Sequence, residues 1–260
     1  MKKTFLLSCL MLAAMPVMAA YTGHVYVDKN KNGVFDQSEK PLAGIKVSDG
    51  LNVVETAADG SFTLPGHERE RFIFITTPSG YKTFNRHYHK IEKKQSGYDF
   101  GLIPYSGRIR KDGSHRYIHI TDTEIFNTEN HADWVNNVHD YARNEQAAFI
   151  IHTGDICYEK GLKAHIKLMN TENMDCPVFY CIGNHDLVKG KYGEELFESI
   201  YGPVYYSFDA GNVHYVVTPM PGGDHAPGYT SDDVCRWLKN DLAHIRPGTP
   251  VVVFNHDLLT

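Results

Sequence analysis

Four short runs concentrate the residue types that hold metals and move protons. They are Asp122-Thr123-Glu124, Gly154-Asp155, Gly183-Asn184-His185-Asp186 and Asn255-His256-Asp257. Each follows an apolar stretch of strand character: Arg116–Thr121, Ala148–His152, Val178–Ile182 and Val251–Phe254. Mixed Asp, Asn and His donors suit borderline divalent cations such as manganese, iron or zinc. Gly154 and Gly183 allow sharp turns that aim the next side chain inward. Alone, a Gly-Asp after a strand is ordinarily a turn, and a His there is ordinarily a packing residue. Four such runs in order, each at a strand end, point to one metal site.

For the runs to meet, the strands must be neighbours whose carboxyl ends share an edge. The sequence between them supplies the crossovers. His131–Glu145 reads as a helix with Val135, Val138 and Ala142 on one face. A short helix is expected at Glu194–Tyr201, stopped by Gly202-Pro203. Val204–Phe208 and Val213–Thr218 read as a hairpin turning at Ala210-Gly211-Asn212. Ser231, followed by Asp232 and Asp233, reads as the N-cap of a helix that buries Val234, Trp237, Leu238 and Leu242. Strands alternating with helices predict an α/β fold over residues 116–260, with ligands at the strand carboxyl ends. His119, His152 and His214 lie on strands and read as structural, whereas His225 sits on a loop beside the expected cleft.

Before residue 105 the texture differs. Gly23–Val27, Ile45–Val47, Val53–Thr56, Ser61–Leu64 and Phe72–Thr76 are short strand candidates, separated by Asp-Gly and Pro-Gly turns. They predict an all-β sandwich over residues 21–104, joined by a linker at 105–115. Within it, Asp28, Asn30, Asn32, Val34, Asp36 and Glu39 occupy positions 1, 3, 5, 7, 9 and 12 of a twelve-residue calcium loop, with Gly33 at position 6. A strand precedes this loop and Pro41 follows, so it is not an EF-hand. The plainer reading is an Asx-rich turn.

The order of these motifs resembles the calcineurin-like metallophosphoesterases, over about Arg116 to Thr260. The stretch Tyr201–His214 is similar to the secreted bacterial members. The resemblance implies an α/β sandwich holding two divalent metal ions and hydrolysing phosphate mono- or diesters by a metal-bound hydroxide. It implies that Asp155 bridges the metals, Asp122 binds the first, and Asn184 and His256 bind the second. His185 would protonate the leaving oxygen, with Asp186 orienting it. Two departures stand out. Glu124 occupies the place where the family usually has His, and is either a harder ligand or turned away. The family's final Gly-His-x-His would follow the strand carrying His256, so an incomplete domain is expected. The alternative is a non-catalytic surface or binding protein with a degenerate phosphoesterase fold. A nucleotide-dependent kinase is disfavoured, since no phosphate-cradling glycine loop is found.

Composition bounds the rest. With 42% apolar and 22% charged residues among 260, the chain is expected to be folded. A net charge of −5 disfavours nucleic-acid binding by phosphate neutralisation. Lys2 and Lys3, the short apolar run Phe5 to Val17, and the small residues at Ala19 and Ala20 read as a signal peptide over 1–20. The mature chain is expected to be exported, periplasmic or extracellular, with no transmembrane segment. Cys157, Cys176, Cys181 and Cys235 match no zinc spacing; an exported chain permits disulfides among them, and the plainer reading is buried thiols.

Overall fold

The first half is built from short strands: β1 Tyr21–Val27, β2 Lys40–Pro41, β3 Lys46–Ser48, β4 Val53–Glu55, β5 Ser61–Leu64, β6 Phe72–Ile75, β7 Tyr81–Thr83, β8 Tyr88–Lys90 and β9 Phe100–Pro104. The computed structural model describes residues 20–257, so all but Ala20 of the export segment lies outside the described residues, as do 258–260. One sheet runs β2-β1-β9-β7, with β5 also paired to β1; the other runs β4-β3-β6-β8. All pairings are antiparallel except β1 with β9. Val25, Val47, Phe62, Leu64, Ile73, Ile75, Phe100 and Leu102 from both sheets form one buried cluster.

β6 explains how this unit meets the rest of the chain. Its sequence, Phe-Ile-Phe-Ile, is buried at all four positions. A half-exposed strand alternates apolar and polar, whereas one buried on both faces does not. Ile73 and Ile75 face the N-terminal cluster, while Phe72 and Phe74 join the core of the second half. Just beyond β6, Thr77 bridges to Phe208, and its carbonyl accepts from the Asp209 amide at 2.8 Å.

The second half contains β10 Tyr117–Ile120, α1 Ala132–Asn144, β11 Phe149–His152, α2 Tyr158–Leu168, β12 Val178–Tyr180, α3 Glu195–Tyr201, β13 Tyr206–Ala210, β14 Val213–Val217, α4 Ser231–Ala243 and β15 Val251–Phe254. β10, β11 and β12 form a parallel sheet. In the second sheet β13 is antiparallel and β15 parallel to β14. Aromatic rings fill the space between the sheets, with Phe179 stacked on Phe208 at 3.6 Å and Phe149 meeting Tyr215 edge-on at 5.0 Å. Ala142, Ala164 and Met169 cover the outer face of the first sheet at Ile150 and Val178. On α4, Trp237 packs against Phe74 and Tyr205.

Several expectations shift. The N-cap of α4 is Thr230, not Ser231. Its hydroxyl accepts from the Asp233 amide, and the Asp233 carboxylate reaches back to the Thr230 amide. Leu242 is exposed, because α4 turns Trp237 and Asp241 inward instead. α2 was not anticipated. The segment 105–115, read as the linker, contains a turn with Ile109 bridged to His115. Cys157, Cys176 and Cys181 are buried free thiols, but Cys235 is exposed on α4. No described helix is long and apolar enough to cross a membrane.

Candidate metal centre

Parallel pairing puts the carboxyl ends of β10, β11 and β12 on one edge, and the β14–β15 pair delivers His256 to the same place. Ligand atoms of Asp122, Asp155 and His256 lie within 4.8 Å of one another. His256 Nδ1 donates to the Thr153 carbonyl at 2.7 Å, since a carbonyl can only accept. In neutral imidazole this leaves a lone pair on Nε2. That nitrogen faces Asn184 Oδ1 at 3.2 Å and Asp155 Oδ2 at 3.5 Å. With the ring in that form acceptors face acceptors, a cost that a cation or a shared proton relieves. Two carboxylates, an amide oxygen and an imidazole match the donor set of a borderline divalent metal.

The backbone around these groups is bent to present them. Asp122, Glu124, Asp155, Cys157 and Tyr158 have φ of 52°, 45°, 52°, 79° and 50°, left-handed values that non-glycine residues seldom adopt. Such conformations cost of order 1–3 kcal/mol each and persist where their surroundings impose them. Gly183 is required by proximity, because a Cβ there would lie 2.2 Å from both the amide nitrogen and Oδ1 of Asp155. Asp155 Oδ1 also accepts from the His185 amide at 3.1 Å.

A buried histidine supports the first motif. His152 Nδ1 accepts from the Gly154 amide at 3.2 Å, so its Nε2 donates to Thr123 Oγ1 at 2.8 Å. Burial and neighbouring imidazoles hold its pKa well below the usual range, keeping it neutral. His119 meets Thr153 Oγ1 at 2.9 Å. Both histidines therefore position loops of the site, a role their strand positions concealed.

Asp186 does not orient the His185 ring. It is fully buried, and its two oxygens accept from the amides of Cys157 at 2.8 Å and Gly183 at 2.9 Å. Burial pushes its pKa up against those hydrogen bonds. It serves as a brace between the second and third motifs. The partner of His185 is Asp224, whose carboxylate meets Nδ1 at 2.9 Å and raises the imidazole pKa. The sequence singles out its neighbour His225 and not Asp224, which lies on an irregular loop well past the end of β14 and not where the strand stops. Glu124 is exposed and stands outside the ligand cluster. Burial and the nearby carboxylates push the Cys157 thiol up to about 12, which disfavours its thiolate.

In the N-terminal unit, Asp28 and Glu39 are buried at the base of the oxygen-rich loop. Asp28 accepts from the amides of Asn32 at 3.1 Å and Gly33 at 2.9 Å, and Glu39 from Lys29 at 2.9 Å and Asp36 at 3.2 Å. Asn30 and Asn32 both donate to Asp36. A further group, Asp49, His67 and Glu70, also lies within 4.8 Å. Its members are already engaged: Glu70 accepts from Tyr21 and the His67 amide, and Asp49 from the amides of Leu51 and Asn52.

The fold and its edge define an α/β unit with a candidate metal centre at the strand carboxyl ends. Residues 115–260 match the profile of the Calcineurin-like phosphoesterase family, and residues 29–104 match the N terminal of Calcineurin-like phosphoesterase. The first match covers more than half of the chain, which therefore belongs to the calcineurin-like phosphoesterase family. The family is one of metal-dependent phosphoric ester hydrolases. No curated protein matches the chain.

Proposed function

We propose that the protein is an exported phosphoesterase that hydrolyses phosphate mono- or diesters with two divalent metal ions. The observation that carries this is the convergence of ligand atoms of Asp122, Asp155 and His256 within 4.8 Å, with Asn184 Oδ1 against His256 Nε2. Asp155 is the candidate bridge, with Asp122 on one side and Asn184 and His256 on the other. When bound, such ions activate water and neutralise charge on the phosphoryl oxygens. The protein's own part is positional. Thr153 fixes the His256 tautomer, Gly183 and Asp186 fix the backbone behind Asp155, and the His185 ring stands free of the ligand cluster. His185 is read as the group that donates a proton to the leaving oxygen. The two-sheet arrangement of each half supports reading both as sandwiches. Export rests on the leader read at residues 1–20. Calcium in the loop from Asp28 to Glu39 is part of the same reading, supported by the oxygen spacing and the two buried carboxylates.

The test is to strip the protein with chelator, restore manganese, iron or zinc, and follow hydrolysis of 4-nitrophenyl phosphate and its diester. Turnover should vanish on stripping, return with metal, and be absent from Asp155→Ala. Rates indifferent to chelation would overturn the reading. Bound metal without turnover of either ester would leave the non-catalytic alternative.

A further inference from the structure

The loop between β14 and α4 carries Asp224 and contains Pro221, Gly222, Gly223, Pro227 and Gly228. Such a segment has little structure of its own and takes its shape from whatever holds it. It is held at two places. Near the metal centre, the Asp224 amide donates to the Asn184 carbonyl at 3.1 Å, and its carboxylate meets His185 Nδ1. Gly223 permits this approach, since a Cβ there would lie 2.6 Å from the Asn184 carbonyl.

The other anchor comes from the N-terminal unit. Arg69 Nη2 donates to the Gly228 carbonyl at 2.9 Å, and its Nη1 pairs with Asp233 in the first turn of α4 at 3.0 Å. The Gly228 amide donates to Glu194 at 2.9 Å. Glu194 is fully buried and paired at 2.8 Å with Arg71, which also reaches Glu198 at 2.9 Å and stacks over Tyr192 at 4.5 Å. The Gly193 amide donates to the Ala226 carbonyl at 2.8 Å between the two anchors.

We propose that Arg69 and Arg71 are positioning residues for the reaction: they pin the loop so that Asp224 holds the His185 ring. The His185 ring is more than a third exposed and its other ring contact is Tyr158 at 5.4 Å. Without Asp224 little would fix its rotation. With Nδ1 held, Nε2 is the nitrogen left to face the substrate. The N-terminal unit then acts as a buttress of the active site, Arg69 and Gly228 standing 159 residues apart in the chain. This inference rests on the reading of His185 as the proton donor.

The experiment uses the full chain, metal-loaded, as Arg69→Ala, Arg71→Lys, Asp224→Asn and the Arg69→Ala/Asp224→Asn double variant. Arg69 is half-exposed, so its removal should leave the fold intact. Hydrogen exchange of the amides of 220–230 should quicken in Arg69→Ala and Arg71→Lys, with the β-strand amides unchanged. On an alkyl phosphate, kcat of Arg69→Ala should fall about tenfold at constant KM and metal content. On 4-nitrophenyl phosphate, which needs little leaving-group protonation, it should stay near the parent value. The double variant should be no slower than Asp224→Asn, because both lesions act through one contact. Unchanged loop exchange in both arginine variants, or additive losses in the double variant, overturns the proposal. A metal-loaded parent chain with no turnover instead overturns the phosphoesterase reading on which it stands.

Discussion

Asp155 and Glu124 are both carboxylates near strand ends, yet their surroundings give them different work. Asp155 is buried and shares a cluster with Asp122 and His256, whereas Glu124 is exposed and outside it. Asp155→Ala should therefore remove metal and activity together, while Glu124→Gln should leave metal stoichiometry unchanged by elemental analysis. Metal loss in Glu124→Gln would return that residue to the ligand set. His185 differs again. His185→Ala should keep the metal and lose about 10²–10⁴-fold in kcat on a substrate with a poor leaving group. The loss should shrink on a nitrophenyl ester. A defect of equal size on both substrates would assign the proton donor elsewhere. The ligand residues were legible because each sits where a strand stops. Asp224 and the neutral His152 were not, because a partner's identity depends on loops and tautomers that no spacing encodes.

The same division holds for whole elements. Strands with clear apolar character, such as Ser61–Leu64 and Phe149–His152, were readable within a residue or two. Edge strands β2, β7 and β8 are two or three residues long and carry no pattern of their own. α2 escaped notice for a related reason. Its buried face is Gly161, Leu162, Ala164 and His165, which supplies one large aliphatic side chain. It also starts at Cys157 with no side-chain cap. α4 was recognised, but its cap was placed one residue late. Since the Thr230 hydroxyl and Asp233 form the capping box, Thr230→Ala should cost about 1 kcal/mol in urea unfolding and Ser231→Ala close to nothing. The reverse order would restore Ser231 as the cap. The loop from Asp28 to Glu39 has its own test. A ligand that binds only the folded state at a hundredfold excess over Kd stabilises it by about 2.7 kcal/mol. Millimolar calcium should then raise the melting temperature by several degrees, roughly 5–10 °C. Asp28→Ala should abolish the rise, and a melting curve indifferent to calcium in the parent chain would exclude the site.

At the scale of the molecule, the two halves are joined by a buried polar chain as well as by Phe72 and Phe74. Lys46 of β3 pairs with Asp209 of β13 at 3.4 Å. Asp209 meets His214 Nδ1 at 2.7 Å, and His214 Nε2 meets Asp241 of α4 at 2.8 Å. Ser207 bridges Asp241 to Thr76 of the N-terminal unit, each contact at 2.8 Å. Both ring nitrogens of His214 face carboxylates, so both must donate and the ring is cationic. Burial opposes that charge, but the hydrogen bonds to Asp209 and Asp241 outweigh it and raise the pKa to about 9. An unfolded histidine titrates near 6.5. A folded pKa above the unfolded one gives stability that is fully present below about pH 6.5 and is lost as pH rises through 9. Between pH 7.5 and 9.5 the parent chain should lose on the order of 2 kcal/mol from this group. Glu198, raised to about 7 chiefly by burial, is mostly ionised by the start of that window and is common to both proteins compared below. Urea unfolding of the parent and of His214→Gln at both pH values isolates the effect. The variant should start less stable, because two buried carboxylates lose their cation. It should then fall less than the parent as pH rises. Parallel slopes in the two proteins would mean that His214 is neutral in the fold.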